Sequence, residues 1–103
     1  MTQKEARHIC LVVWRYLMRH PEIDLKWKLP SYLVRKIESF ICKCPLCALF
    51  FDNGGEGCPK CPLGNCGEGS LFLKWHYADD DNTRGYTASQ IFDKVKAWQP
   101  KEE

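Results

Sequence analysis

Six of the seven cysteines fall in one stretch, from Cys42 to Cys66. Within it, Cys44/Cys47 and Cys58/Cys61 form two Cys-x-x-Cys pairs with ten residues between them. Thiolates spaced this way wrap one tetrahedral ion, and a second pair across a short loop closes the site. The chemistry implied is a structural Zn²⁺. Pro45 sets φ for a tight turn in which following amides can point at the first sulfur and ease the charge of several thiolates on one ion. The second pair is less regular: Pro62 removes an amide donor after Cys61, and Cys66 follows five residues on. Two ligand sets therefore compete. One is Cys44, Cys47, Cys58 and Cys61; in the other, Cys66 replaces one of the latter two. Cys42 is spare in both.

Other chemistries have weaker support in the residues. Iron sites of the rubredoxin type also use two such pairs, but there glycine typically follows the cysteine, and here Ala48 and Pro62 do. A catalytic zinc keeps an open position, often with His ligands and a Glu base, and the cysteine stretch holds no His. His76, ten residues after Cys66, could complete a Cys₃His set, although a packing or surface role suits it better. Asp79, Asp80 and Asp81 lack the spaced ligands and bidentate Glu of a calcium loop and read as a solvated helix end. Gly54 to Gly57 has no Lys-Ser/Thr after it and makes a poor phosphate cradle. No acid, base and nucleophile converge, so no enzyme is expected.

A chain of 103 residues makes a single domain, 1–103, with a core that a metal can usefully staple. Zinc coordination contributes apparent folding free energies on the order of 10–16 kcal/mol in finger peptides. The start is polar, Arg15 interrupts the apolar run Ile9–Trp14, and no secretory signal pattern is visible. No stretch approaches the roughly 20 apolar residues of a membrane span. Without a secretory signal a reducing, cytoplasmic setting is expected, where an odd cysteine count favours metal over disulfides. The net charge of +2 conceals an asymmetry: through Lys43 there are nine Lys and Arg against four Asp and Glu, and thereafter six against nine. The front is basic and the back acidic.

The elements that must carry the cysteine loop read as helices. Thr2 to about His20 is amphipathic, with a Thr2/Glu5 capping pattern, inward Ala6, Ile9, Cys10, Val13, Trp14 and Leu17, and a stop at Pro21. Cys10 is expected to be a small core residue. Glu22 to Leu29 alternates Ile23, Leu25, Trp27 and Leu29 with polar residues, which predicts an extended segment docking its apolar side on the helices. Ser31 to Ile41 makes a second helix with Leu33, Val34, Ile37, Phe40 and Ile41 inward and Arg35, Lys36 and Lys43 outward. After the loop, Ser70 caps a third helix, Leu71 to about Ala78, and Asp79–Asn82 breaks it. A Thr87/Gln90 capping pattern predicts a fourth helix there, with Ile91, Phe92, Val95 and Trp98 inward and Pro100 as its stop. The fold expected is mainly α: about four short helices around an irregular zinc-knuckle loop. Its parts are a basic two-helix section (1–41), the metal loop (42–69) and a two-helix section (70–99).

Over Cys44 to Ala78 the pattern Cys-Pro-Leu-Cys … Cys-x-x-Cys-Pro-Leu-Gly-x-Cys … Ser-x-Phe-x-Lys-Trp resembles a group of small cysteine-rich proteins of tailed bacteriophages and prophages. The match includes Cys44, Cys47, Cys58, Cys61 and Cys66 with Ser70, Phe72 and Trp75; Leu71 stands where the group usually has proline. The resemblance implies zinc binding and life in an infected bacterial cytoplasm, and supplies no reaction. Two function classes follow. In the first, a zinc-rigidified, non-enzymatic protein engages and regulates or inhibits a host or phage protein, an anti-defence role included. In the second, a nucleic-acid binder uses the basic half. Either way the expected surface is Arg15, Arg19, Lys26, Trp27, Lys28, Tyr32, Arg35 and Lys36, joined by Lys43 in the nucleic-acid reading, where aromatic rings can anchor or stack among cations.

Overall fold

The computed structural model describes residues 2–38, 46 and 70–100, and it is mainly α. Four α-helices and one 3₁₀ turn occupy the described residues: α1 (Gln3–Arg19), the turn Lys26–Lys28, α2 (Ser31–Ile37), α3 (Leu71–His76) and α4 (Asp81–Ala97).

The start of α1 is fixed as its sequence predicts. Thr2 Oγ1 accepts the Glu5 N–H at 3.1 Å and donates to the Glu5 carboxylate at 3.3 Å, so both side chains hold the first turn. At the other end His20 leaves the helical region ahead of Pro21, its amide still reaching the Tyr16 and Leu17 carbonyls. Ala6, Cys10, Val13, Trp14 and Leu17 are buried along one stripe, and Ile9 packs half-buried beside them. Cys10 is a core residue, as its apolar neighbours imply.

The segment after α1 is not the extended strip its alternation predicts. Ile23 and Leu29 are buried, but between them the chain tightens into a 3₁₀ turn, with the Lys28 amide on the Leu25 carbonyl and Leu29 on Lys26. The turn breaks the two-residue period: Lys26 points in and is 9% exposed, whereas Trp27 points out and is 64% exposed. Period-two alternation decides facing only while the backbone stays extended. Three residues per turn reverse it here.

Helix α2 starts at Ser31 over the Pro30 carbonyl, buries Leu33 and Ile37, and keeps Val34 half-buried. Its predicted continuation through Phe40 and Ile41 lies outside the described residues. Ser70 caps α3 by accepting the Leu73 amide at 3.2 Å, and Trp75 is its one fully inward residue. The helix ends at His76, two residues before the predicted end.

Helix α4 corrects the sequence reading by seven residues at its start. Asp80, not Thr87, is the cap, accepting the Thr83 amide at 2.7 Å, and Asp81 opens the helix. Acidic residues suit a helix N-terminus, where their charge meets the unpaired amides. Thr87 lies two turns in, donating its hydroxyl to the Thr83 carbonyl at 2.8 Å. Gly85 disguises this turn as a break, because glycine is a poor helix former. Its smallness has a packing reason: a Cβ there would lie 3.3 Å from Pro21 Cβ. The helix ends at Ala97 with Trp98 as its cap, ahead of the predicted stop at Pro100.

Helix α4 packs on both α1 and α3, burying Ala88, Ile91, Phe92 and Val95. Trp14 of α1 and Trp75 of α3 meet edge to face, with ring centroids 5.2 Å apart. Leu46 joins this core and is fully buried.

Candidate partner-binding surface and metal loop

The basic half carries more cations than its surface offers. Lys26 is turned inward, its ammonium 5.3 Å from the Trp14 ring centroid and 5.1 Å from that of Phe72. Two ring faces attract a cation held between them, and the aliphatic stem covers apolar surface. Lys26 is therefore a packing residue and leaves the predicted binding surface. Lys28 is spent locally on Asp24, at 2.7 Å and four residues apart, and that hydrogen bond holds the Asp24 carboxyl below its usual range. Arg7 donates to the Lys96 carbonyl at 2.7 Å, tying α1 to the end of α4. The Arg15 guanidinium lies 5.6 Å from the Phe92 centroid.

Three predicted cations remain uncommitted. Among the described residues, the side chains of Arg19, Arg35 and Lys36 are exposed and have no hydrogen bond or ion pair. Trp27 and Tyr32 are 64% and 59% exposed, and Tyr32 lies within one turn of Arg35 and Lys36 on α2. Such rings have a large apolar face and a polar edge, the type enriched at protein interfaces.

Arg19 and Tyr32 also meet at a cleft between α1 and α2 of about 250 Å³, lined by Val12, Arg15, Tyr16, Arg19, His20, Tyr32 and Leu33. His20 stacks on Tyr16 with centroids 4.1 Å apart, and its Nδ1 lies 3.3 Å from the Glu22 carboxylate. The α1 side is a consequence of helical period: positions 12, 15, 16 and 19 form one face opposite the core stripe.

Of the cysteine stretch, Leu46 alone belongs to the described residues. The five candidate ligands Cys44, Cys47, Cys58, Cys61 and Cys66 lie outside them, as do Cys42 and the glycine loop. Leu46 sits between Cys44 and Cys47 in sequence and is fully buried, so the first Cys-x-x-Cys unit contributes a side chain to the helical core. Among the described residues no three His, Cys, Asp or Glu side chains group as metal ligands would. His76 is packed in a ring cluster, its centroid 4.7 Å from Tyr77 and 6.1 Å from Phe72.

The acidic run is built into the helix joint. The Thr83 amide donated to Asp80 holds that carboxyl below its ordinary range, and Asp81 pairs with Arg84 at 3.0 Å. Arg84 is the residue sequence reasoning passed over. It is buried and donates to the carbonyls of Pro21 and Ala78, each at 2.8 Å, as well as to Asp81. One guanidinium thus joins the turn after α1 to the joint between α3 and α4. A second open cleft, about 580 Å³, lies at that joint with Lys74, Tyr77, Asp79, Thr83, Tyr86 and Gln90 on its walls. Tyr77 and Tyr86 share this cleft because α4 starts at Asp81, the start that the capping pattern at Thr87 had obscured.

No helix of the described residues is long and apolar enough to cross a membrane. Comparison of the chain with protein-family models, curated proteins and solved structures found no match.

Proposed function

We propose that this chain is a small zinc-stabilised, non-enzymatic binding protein that engages another protein through the face around Trp27, Tyr32, Arg19, Arg35 and Lys36. The observation that carries the reading is the outward placement of Trp27 and Tyr32, with Tyr32 sharing a cleft with Arg19 and a helix with Arg35 and Lys36. An exposed tryptophan next to a buried lysine reverses the usual preference of both residues. Truncated tryptophans and arginines account for a large share of binding energy at protein interfaces.

The zinc part rests on donor chemistry: thiolates in two Cys-x-x-Cys units suit a closed tetrahedral site, and Leu46 anchors the first unit to the core. A metal so placed rigidifies the scaffold and lowers the ordering cost of binding. The phage setting, with a host protein as target to be regulated or inhibited in the bacterial cytoplasm, rests on the cysteine motif alone.

Nucleic acid is the second reading, and the charge inventory counts against it. Among the described residues of the basic half, the three uncommitted cations neutralise too few phosphates for firm binding at physiological salt, and the second half of the chain is acidic. The test is capture of partners from bacterial lysate by the zinc-loaded protein, with and without nuclease. Parent protein is compared with the triple variant Arg19→Glu, Arg35→Glu, Lys36→Glu. A protein retained after nuclease and lost in the variant, with metal content unchanged, supports the reading. Capture abolished by nuclease shifts it to nucleic acid.

A further inference from the structure

We infer that the cleft between α1 and α2 is the recognition pocket for an acidic polypeptide segment, which seats one apolar side chain between Tyr16 and Tyr32. This rests on the protein-binding reading above and adds where the partner docks and what chemistry it presents.

Size comes first. At about 250 Å³ the cleft falls just under the roughly 300–1,000 Å³ of small-molecule and cofactor sites. It suits one side chain of a longer chain better than a whole ligand. Its lining combines Val12, Leu33 and the Tyr16 ring with polar groups at the margin. Leu33 is fully buried and Tyr16 is held by its stack on His20, so that part of the lining is preformed.

Charge selects the occupant. Among the described residues no Asp or Glu lines the cleft, and Arg19 has no hydrogen bond or ion pair. On α2, Lys36 lies one helical turn beyond Tyr32 on the same face, and Arg35 lies beside it. Arg15 contributes its stem to the margin while its guanidinium lies over Phe92. The Glu22 carboxylate lies 3.3 Å from His20 Nδ1. An apolar residue flanked by carboxylates fits this pattern: the side chain enters the cleft, and its acidic neighbours meet Arg19 on one side and Lys36 on the other. A nucleic-acid strand offers regular phosphates, which the aliphatic part of the lining cannot use.

The experiment is amide NMR titration of the full zinc-loaded chain with a capped pentapeptide, one phenylalanine flanked by two glutamates on each side. Shifts are expected to concentrate on Val12–His20 and Tyr32–Leu33. Affinity should fall several-fold when the glutamates become glutamines, when the phenylalanine becomes alanine, and in Arg19→Glu or Tyr32→Ser protein. Both side chains are exposed, so these variants keep the fold. Absence of shifts at millimolar peptide, shifts centred elsewhere, equal affinity for the uncharged peptide, or stronger response of the same amides to a thymidine oligonucleotide would overturn the assignment. If the triple variant loses lysate capture while the peptide leaves the cleft unperturbed, the binding reading stands and the cleft assignment fails.

Discussion

Arg84→Met should be among the most damaging changes available outside the apolar core and the cysteine loop. The guanidinium is 9% exposed and reaches three acceptors: the Pro21 carbonyl, the Ala78 carbonyl and the Asp81 carboxylate. Hydrogen bonds from a charged donor contribute roughly 1.5–3 kcal/mol each. The Asp81 bond is discounted, because that carboxylate is 64% exposed and water screens the pair. The two carbonyl bonds then set the scale. Methionine preserves the stem and removes the cost of burying a charge, and the carbonyls partly rehydrate, which leaves a net loss of about 2–4 kcal/mol. Against a total stability of roughly 5–15 kcal/mol, that is a large fraction. For a domain of this size it corresponds to a fall in Tm of roughly 10–25 °C. The assay is urea unfolding followed by tryptophan fluorescence, with metal content matched between variants. Arg84→Lys should recover less than half of the loss, because one ammonium cannot span both carbonyls as a planar fork does. A methionine variant within about 0.5 kcal/mol of the parent, the range of ordinary surface changes, would refute this account of the joint.

Three further outcomes follow from other parts of the molecule. Lys26→Glu should cost at least about 2 kcal/mol more than Lys26→Met in the same urea assay, because ring faces that attract a cation repel an anion; equal costs would mean that the stem alone matters. Cys44→Ser or Cys47→Ser should release zinc, as read by elemental analysis, and should expose Trp75 fluorescence to quencher, since Leu46 between them belongs to the same core. A variant that keeps its full metal content would exclude that cysteine as a ligand. Asp80 has a folded-state pKa below its ordinary value of 3.8, so its contribution is present above that pH and is lost as pH falls through the lower folded value. Asp80→Asn keeps a good cap without the charge, so the stability gap between parent and variant should shrink as the solution is acidified below about pH 4. A gap independent of pH would contradict the capping role of the charge.

How far the sequence disclosed this structure depended on how local the cause was. Thr2 and Ser70 were legible as caps because capping is settled within three residues, and the core stripe of α1 followed from its period. The start of α4 was hidden because Asp79–Asn82 reads as a helix break and Thr87/Gln90 as a capping pattern, whereas the cap is Asp80 inside that acidic run. Gly85 sits inside the helix where a Cβ would crowd Pro21, sixty-four positions away, and no local pattern carries that contact. Lys26 and Trp27 were misplaced for a related reason. Alternation assumed an extended backbone, and the 3₁₀ turn with Trp14 and Phe72 waiting beneath it exchanged their facings. The proposed binding face draws on a basic region legible in the sequence, and the outward facing of Trp27 on it comes from the 3₁₀ turn. The pairings that reduce eight candidate residues to five could only be read in three dimensions. The cysteine spacing speaks to metal chemistry by itself, and its ligand set lies outside the described residues.

The central claim is that the exposed aromatic and basic face holds a protein and not a nucleic acid. The most direct measurement is the dissociation constant of the captured partner as salt rises from 50 to 200 mM. A protein held by Trp27 and Tyr32, with Arg19, Arg35 and Lys36 steering its approach, should lose association rate but remain bound, with affinity falling by less than about tenfold. A fall of about 10³-fold or more, linear in the logarithm of salt concentration, is the signature of about six released phosphate counterions and would contradict the claim.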